Sequence, residues 1–336
     1  MHHRLPAGRR MCPAVVALLS VALTAVGAAT SLPPRAGAQT SPPRPNELGR
    51  VPILEYHLIG DRESRWSRER GTFRRDLELL HRRGYRPVTV AELVSRRLDL
   101  PAGTSPVVVT FDDASPGQFS FIRRADGTLV PDPTSAVGIW LDFAKAHPGW
   151  GTKATFCVLS NATYGHAFFG DKGINGQETA WRFPKLQFLV RRGFELCNHT
   201  LWHGKLDRLS DDEVRAQIGR AQLAIDSAVP GYRVRTFALP LGLWPRNRGL
   251  VRGGSWTDRT SGRTMTWTHD AVLEVAGTKA AGPVSYSPHD PRFDPLSLPR
   301  VQVVGKTLET LLDRLERTGQ RYVSDGDPRT VAKPGP

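Results

Sequence analysis

Apolar positions along the chain follow two spacings that take turns from Val51 onward. Residues 51–56 form a compact apolar run and predict a first strand. Phe73, Leu77 and Leu80 recur at offsets of four and three, which predicts a helix over 72–83 stopped by Gly84. Residues 86–90 read as a strand. The run Val107-Val108-Val109-Thr110-Phe111 is unbroken and β-branched, the pattern of a strand buried on both faces. Residues 153–159 and 194–198 repeat it, separated by a short helix over 183–192 that Gly193 ends. Ser210-Asp211-Asp212-Glu213 is a capping box, and Val214, Ile218, Ala221 and Ile225 line one stripe of the helix it opens. A strand over 234–239, a helix marked by Leu308, Leu311, Leu312 and Leu315, and a short strand over 321–323 complete the pattern.

Strands alternating with helices over this length imply parallel β/α units, closed into a distorted, TIM-like (β/α) barrel forming a single domain, 51–331. Residues 114–151 are rich in Gly, Pro and Asp, with one helical patch at 140–146. They read as an insertion at a strand's carboxyl end, the end that carries the site in such barrels. The tail 332–336 is expected to be disordered.

The first 38 residues stand apart. His2, His3, Arg4, Arg9 and Arg10 precede an apolar run, 13–29, and Ala36-Gly37-Ala38 offers a small-residue cleavage site. That is the form of a secretory signal peptide, so export is expected, with no stable membrane span after cleavage. Residues 39–50 are Pro-rich and polar, and read as a linker. A hydrophobic share of 39% excludes wholesale disorder. The net charge is +14, and removing the leader's four arginines leaves +10. The arginines are dispersed rather than clustered beside stacking aromatics, which argues against nucleic acid. Of the three cysteines, Cys157 and Cys197 remain after cleavage. Export permits a bridge, but each sits in a strand-like apolar stretch, and free buried cysteines are the expectation.

Two polar clusters follow directly on strands. In Thr110-Phe111-Asp112-Asp113 two carboxylates meet where a strand breaks into a loop, and they need a cation or a shared proton between them. In Asn198-His199-Thr200-Leu201-Trp202-His203 the four-residue separation puts both imidazoles on one side of a turn. One Asp and two His would complete a hydrolytic metal centre with a position open for water. The other Asp is left free as a base. Alone, the Asp pair reads equally well as a helix cap, and the two histidines as unrelated surface residues. Trp202 within the histidine motif and Trp244 further on each offer a ring for stacking, although core packing explains them as well.

These motifs, with the strand Lys153-Ala154-Thr155-Phe156 between them, resemble the polysaccharide deacetylase superfamily, carbohydrate esterase family four. The opening Val51-Pro52-Ile53-Leu54-Glu55-Tyr56-His57 and the late Leu298-Pro299-Arg300-Val301 are similar to the branch of secreted poly-β-1,6-N-acetylglucosamine deacetylases. The resemblance implies Asp113, His199 and His203 as ligands of a divalent metal, expected to be zinc, and Asp112 as catalytic base. Phe237-Ala238-Leu239-Pro240-Leu241-Gly242 matches the third motif and implies the Leu241 amide as oxyanion donor. Many members have, at the position of Ala238, an arginine that orients the base. The general acid is implied to be His57, with His289 the competing candidate. The implied activity is N-deacetylation of an N-acetylglucosamine-containing cell-surface or wall glycan by a secreted, wall-associated enzyme, with anionic wall polymers as further partners. Peptidoglycan, chitin oligomers and acetyl-xylan are alternative substrates. Ala238 and the choice left open between two acids also motivate a second reading, a catalytically weak carbohydrate-binding wall protein.

Overall fold

The computed structural model describes residues 43–162, 166–275 and 283–334. The expected signal peptide and the first residues of the linker lie outside them. Eight parallel strands build one sheet: β1 (Ile53–Tyr56), β2 (Tyr85–Val88), β3 (Ser105–Asp112), β4 (Thr155–Val158), β5 (Glu195–Asn198), β6 (Thr236–Ala238), β7 (Ala271–Leu273) and β8 (Val301–Gln302). Their order is β7-β6-β5-β4-β3-β1-β8, with β2 paired to the first half of the long β3. A parallel bridge between Leu273 and Leu298 joins β7 to the segment that leads into β8, so the sheet curls into a distorted barrel.

Period-two alternation sorts the strand side chains. Leu54, Tyr56, Val107, Val109, Phe111, Phe156 and Leu196 face outward and form one core with Phe73, Leu77, Trp140, Leu186 and Leu311 of the surrounding helices. Ile53, Val108, Cys157, Cys197, Ala238 and Leu273 form a second core inside the barrel. Glu55, Thr110 and Asp112 share the inward parity, which is why the last inward position of β3 is a carboxylate at the barrel mouth.

The helices follow the predicted spacing. They are α1 (Arg70–Arg82), α2 (Val90–Val94), α3 (Ala136–Ala146), α4 (Arg182–Arg191), α5 (Asp211–Ala228), α6 (Gly249–Arg252) and α7 (Thr307–Arg317). Ser210 and Glu213 form the expected capping box on α5. The strand expected to reach Val90 stops at Val88, because Thr89 and Glu92 form a second capping box that opens α2. The insertion after β3 contains the antiparallel ribbon Phe121–Arg123 with Leu129–Pro131, then α3. Its first turn is pressed on the segment after β1, so closely that a Cβ at Gly117 would collide with the Ile59 carbonyl.

Four expectations need correction. The linker does not extend to Arg50: Asn46 bridges Val323, Glu47 is buried, and Arg50–Val51 pairs antiparallel with Ser285–Tyr286. The tail is not free from its first residue, since Ala332 exchanges hydrogen bonds with the backbone and carboxylate of Glu47. Residues 321–323 make isolated bridges rather than a strand, and Cys157 and Cys197 form a disulfide. The cysteines are direct register partners on β4 and β5, a proximity that only strand pairing reveals. Short strands β7 and β8 and the ribbon Gly253–Thr257 with Thr264–Thr268 carry too few apolar positions to stand out in the sequence. Among the described residues no helix is long and apolar enough to cross a membrane.

Candidate active site

A cavity of about 260 Å3 opens at the carboxyl ends of the strands, lined by His57, Leu58, Trp66, Asp112, Asp113, His166, His199, His203, Leu241 and Val275. All six residues expected to act in the chemistry line it. The loops that present them hold strained backbone: Asp113, Thr200, His203 and Leu241 have φ of 76°, 75°, 65° and 56°. Non-glycine residues in this region each cost roughly 1–3 kcal/mol, and such residues cluster where side chains must be aimed.

Asp113 Oδ1 lies 3.4 Å from His199 Nε2 and 3.6 Å from His203 Nε2, and one donor atom from each of the three residues falls within 4.8 Å of the others. His199 is buried, and its Nδ1–H donates to the Ala238 carbonyl at 3.0 Å. That bond fixes the tautomer and leaves Nε2 buried with no hydrogen-bond partner among the described residues. Nε2 therefore turns a lone pair towards a carboxylate oxygen, an arrangement that repels unless a cation sits among them. The donor set fits a divalent metal. Burial pulls His203 down to about 4, reinforced by His199, so it is a neutral donor at neutral pH. Burial also opposes charge on His199, yet Asp112 and Asp113 outweigh it and raise its pKa.

Beside this trio Asp112 is engaged differently. Arg300 Nη1 and Nη2 each donate to one of its carboxylate oxygens, both at 2.7 Å, and Arg300 is itself buried. Arg300 also donates to the Glu274 carbonyl at 2.6 Å and to Thr110 at 3.1 Å. Burial alone would raise the pKa of Asp112; Arg300 foremost, then His199, reverses this and holds the carboxyl below its ordinary range. Glu55, His57 and Asp112 form a second group of metal-ligating type, but the Arg300 guanidinium already supplies the positive charge there.

His57 stands over the same cavity. Trp66 meets its ring edge to face at 4.8 Å between centroids, and its backbone carbonyl accepts a bond from the buried Gln118 at 2.5 Å. The same Gln118 amide donates to the Asp112 carbonyl, tying the two strand ends together. His289 lies elsewhere: its charged neighbours are Glu47 and Arg96, and it is not among the residues lining the cavity. Of the two tryptophans singled out, Trp202 is exposed beside His203 and Trp244 packs on the cluster around Phe237. The sequence assigned no role to Arg300, Gln118, Trp66 or His166, whose Nδ1 lies 3.2 Å from the Asp113 carbonyl. Arg300 had a trace in the Leu-Pro-Arg-Val motif; the other three had none.

The barrel-mouth pocket brings together an Asp-His-His donor set of the kind that holds a divalent ion and, next to it, an arginine-held carboxylate. The family model for polysaccharide deacetylase matches residues 100–251, which contain Asp112, Asp113, His199, His203 and Leu241. Over that segment, a little under half of the chain, the protein is similar to the polysaccharide deacetylase family. His57, which lines the pocket, and Arg300, buried behind Asp112, lie outside the matched segment.

Solved structures agree in fold. The chain is similar to the Streptococcus pyogenes deacetylase PplD in complex with acetate, at 16% identity and a TM-score of 0.53, over 79% of this chain and 98% of that one. It is similar to a polysaccharide deacetylase from Bacillus cereus at 14% identity and a TM-score of 0.52, over 78% and 69% of the two chains. IcaB from Ammonifex degensii aligns at 17% identity and a TM-score of 0.50, over 80% and 97%. No curated protein matches the chain significantly.

Proposed function

We propose that the protein is a secreted, metal-dependent N-deacetylase of an N-acetylglucosamine-containing cell-surface or wall glycan, of the poly-β-1,6-N-acetylglucosamine type. The observation that carries the reading is the buried, unpartnered Nε2 of His199 beside Asp113 and His203, with Asp112 held next to it by Arg300. A divalent ion held by Asp113, His199 and His203, with zinc the natural candidate for this N/O set, would polarise the acetyl carbonyl and acidify water.

The chain's own residues supply the rest. Asp112, kept ionised by Arg300, accepts the proton of the attacking water. The Leu241 backbone, at the cavity wall in a left-handed conformation, is placed to donate to the oxygen that gains charge. His57 gives a proton to the departing sugar amine, which leaves as a neutral group. The basic leader and cleavage motif support export, and the mature charge of +10 suits a setting rich in anionic wall polymers. Against the carbohydrate-binding alternative, which drew on Ala238 and the unassigned acid, stands the grip of Arg300 on Asp112 from just before β8.

Free-amine release from acetylated glucosamine oligomers, with elemental analysis for bound metal, tests the reading. Asp112→Asn should lose activity on the order of 10²–10⁴-fold with its metal retained. Full activity in that variant overturns the assignment of the base. Parallel assays on peptidoglycan, chitin oligomers and acetyl-xylan rank the substrates.

A further inference from the structure

We infer that the Cys157–Cys197 disulfide is a positioning element for the ligand trio, holding the strand end that carries His199 at a fixed distance from the one that carries Asp113. The inference rests on the metal-binding part of the reading above. Asp112, Cys157 and Cys197 are successive register partners across β3, β4 and β5, so they share one rung of the sheet, and all three are buried. Asp113 follows that rung directly. His199 is the next inward position beyond Cys197, because Asn198 between them turns outward and donates to the Ile218 carbonyl of α5. The bridge therefore sits one inward step from His199, and β4 ties the same rung to the end of β3.

Backbone pairing leaves this corner of the sheet thinly held. β5 meets β6 at a single register pair, Asn198 with Phe237, and beyond the strand only the His199 N–H bond to the Val158 carbonyl, at 3.2 Å, continues its pairing with β4. The atoms to be held together repel one another: His199 Nε2 turns a lone pair towards Asp113 Oδ1 at 3.4 Å. A metal tolerates errors of only about 0.2 Å in its ligand distances, so a site held in place before the ion arrives avoids an ordering cost on binding. Strand register does not need the bridge, since β4 and β5 already share four consecutive register pairs from Thr155–Glu195 to Val158–Asn198. The sulfurs lie in the apolar barrel interior with Ile53, Val108, Ala238 and Leu273, closed to reductant in the folded protein. The bridge is thus a permanent strap rather than a switch.

Zinc affinity of the folded protein, read by competition with a chromophoric chelator well below the melting temperature, tests the inference. The double variant Cys157→Ala, Cys197→Ala should bind zinc about 10- to 100-fold more weakly, the range for losing a group that orients a metal ligand, with the same zinc content at saturation. A bridge that only stabilises the fold would lower the melting temperature and leave zinc affinity within about twofold, which overturns the inference. The alanines also leave a void, so the second arm is the wild-type chain refolded with its thiols reduced. It should show the same weakening and regain full affinity on oxidation. A dithiol form that binds zinc as well as the oxidised protein, or better, overturns the inference, and this arm decides if the alanine variant does not fold. Amine release measured in parallel keeps the two readings apart. Weakened zinc binding in a chain whose oxidised form releases no amine leaves the strap standing while the deacetylase reading fails; unchanged affinity in an active enzyme does the reverse. An oxidised protein that binds no zinc overturns both.

Discussion

Replacing Arg300 by Met removes the strongest constraint on Asp112, the proposed base. The side chain is buried, makes both of its 2.7 Å bonds to Asp112, and occupies a site that no water can refill with charge. Breaking a buried pair by removing one partner costs about 3–5 kcal/mol. At 1.36 kcal/mol per pKa unit, a penalty of that size moves the pKa of Asp112 up by roughly 2 to 4 units, and kcat/KM falls about tenfold for each pH unit below the shifted value. The sign follows from the balance of causes. Burial raises the pKa of Asp112, and Arg300 is the largest opposing influence, so its loss lets burial dominate. More of the base is then protonated at neutral pH, and the acid limb of the kcat/KM profile moves upward, so the deficit shrinks as pH rises. Arg300→Lys keeps a charge without the two-pronged grip and should fall between the two. The assay is amine release across neutral and alkaline pH on protein matched for metal content and thermal melt. A folded, metal-loaded Arg300→Met variant with wild-type activity and an unmoved profile would show that Asp112 does not depend on Arg300.

His57→Ala should lose about 10²–10⁴-fold in kcat, whereas His289→Ala, outside the cavity, should leave amine release unchanged; the reverse outcome would exchange the two assignments. Converting both Cys157 and Cys197 to Ala opens a crosslink between residues 40 positions apart, which on chain-entropy grounds contributes about 4 kcal/mol. The variant should melt lower than the oxidised protein and be indifferent to reductant, and equal melting would refute a bridge that stabilises. Buried Lys185 donates to the Phe169 carbonyl at 2.7 Å, and desolvation pulls its pKa down to about 7. Between there and its unfolded value near 10 the unfolded chain binds the extra proton, so this group adds stability as pH rises through that window. Melting curves of Lys185→Met should lack that rise, and an identical pH dependence would rule the effect out.

Much of the site was legible because its chemistry is local. Asp112 and Asp113 are adjacent at a strand's end, and His199 and His203 are four residues apart in the loop after another, so short-range geometry already brings each pair together. The clusters follow β3 and β5, parallel strands with β4 between them that end on the same side of the sheet, which brings them face to face. The helices were legible for the same reason, since a stripe such as Val214, Ile218, Ala221 and Ile225 is a property of consecutive turns. What escaped was contact between distant segments. The late arginine reaches Asp112 from 188 positions away because β8 pairs with β1 and sets Arg300 across from the inward face of β3. Gln118 sits in a stretch with no periodicity, and its two carbonyl contacts exist only because the insertion folds back on the segment after β1.

Spacing along the chain by itself determined the alternation of strands and helices, the ligand and base candidates, and the expectation of a barrel, because each depends on side chains within a few residues of one another. Tertiary structure alone set His57 at the cavity and His289 away from it, joined Cys157 to Cys197, and brought Arg300, on the approach to the final strand, against Asp112. Those outcomes depend on register and barrel closure, which are set by the packing of all the strands together and leave no mark on the local order of residues.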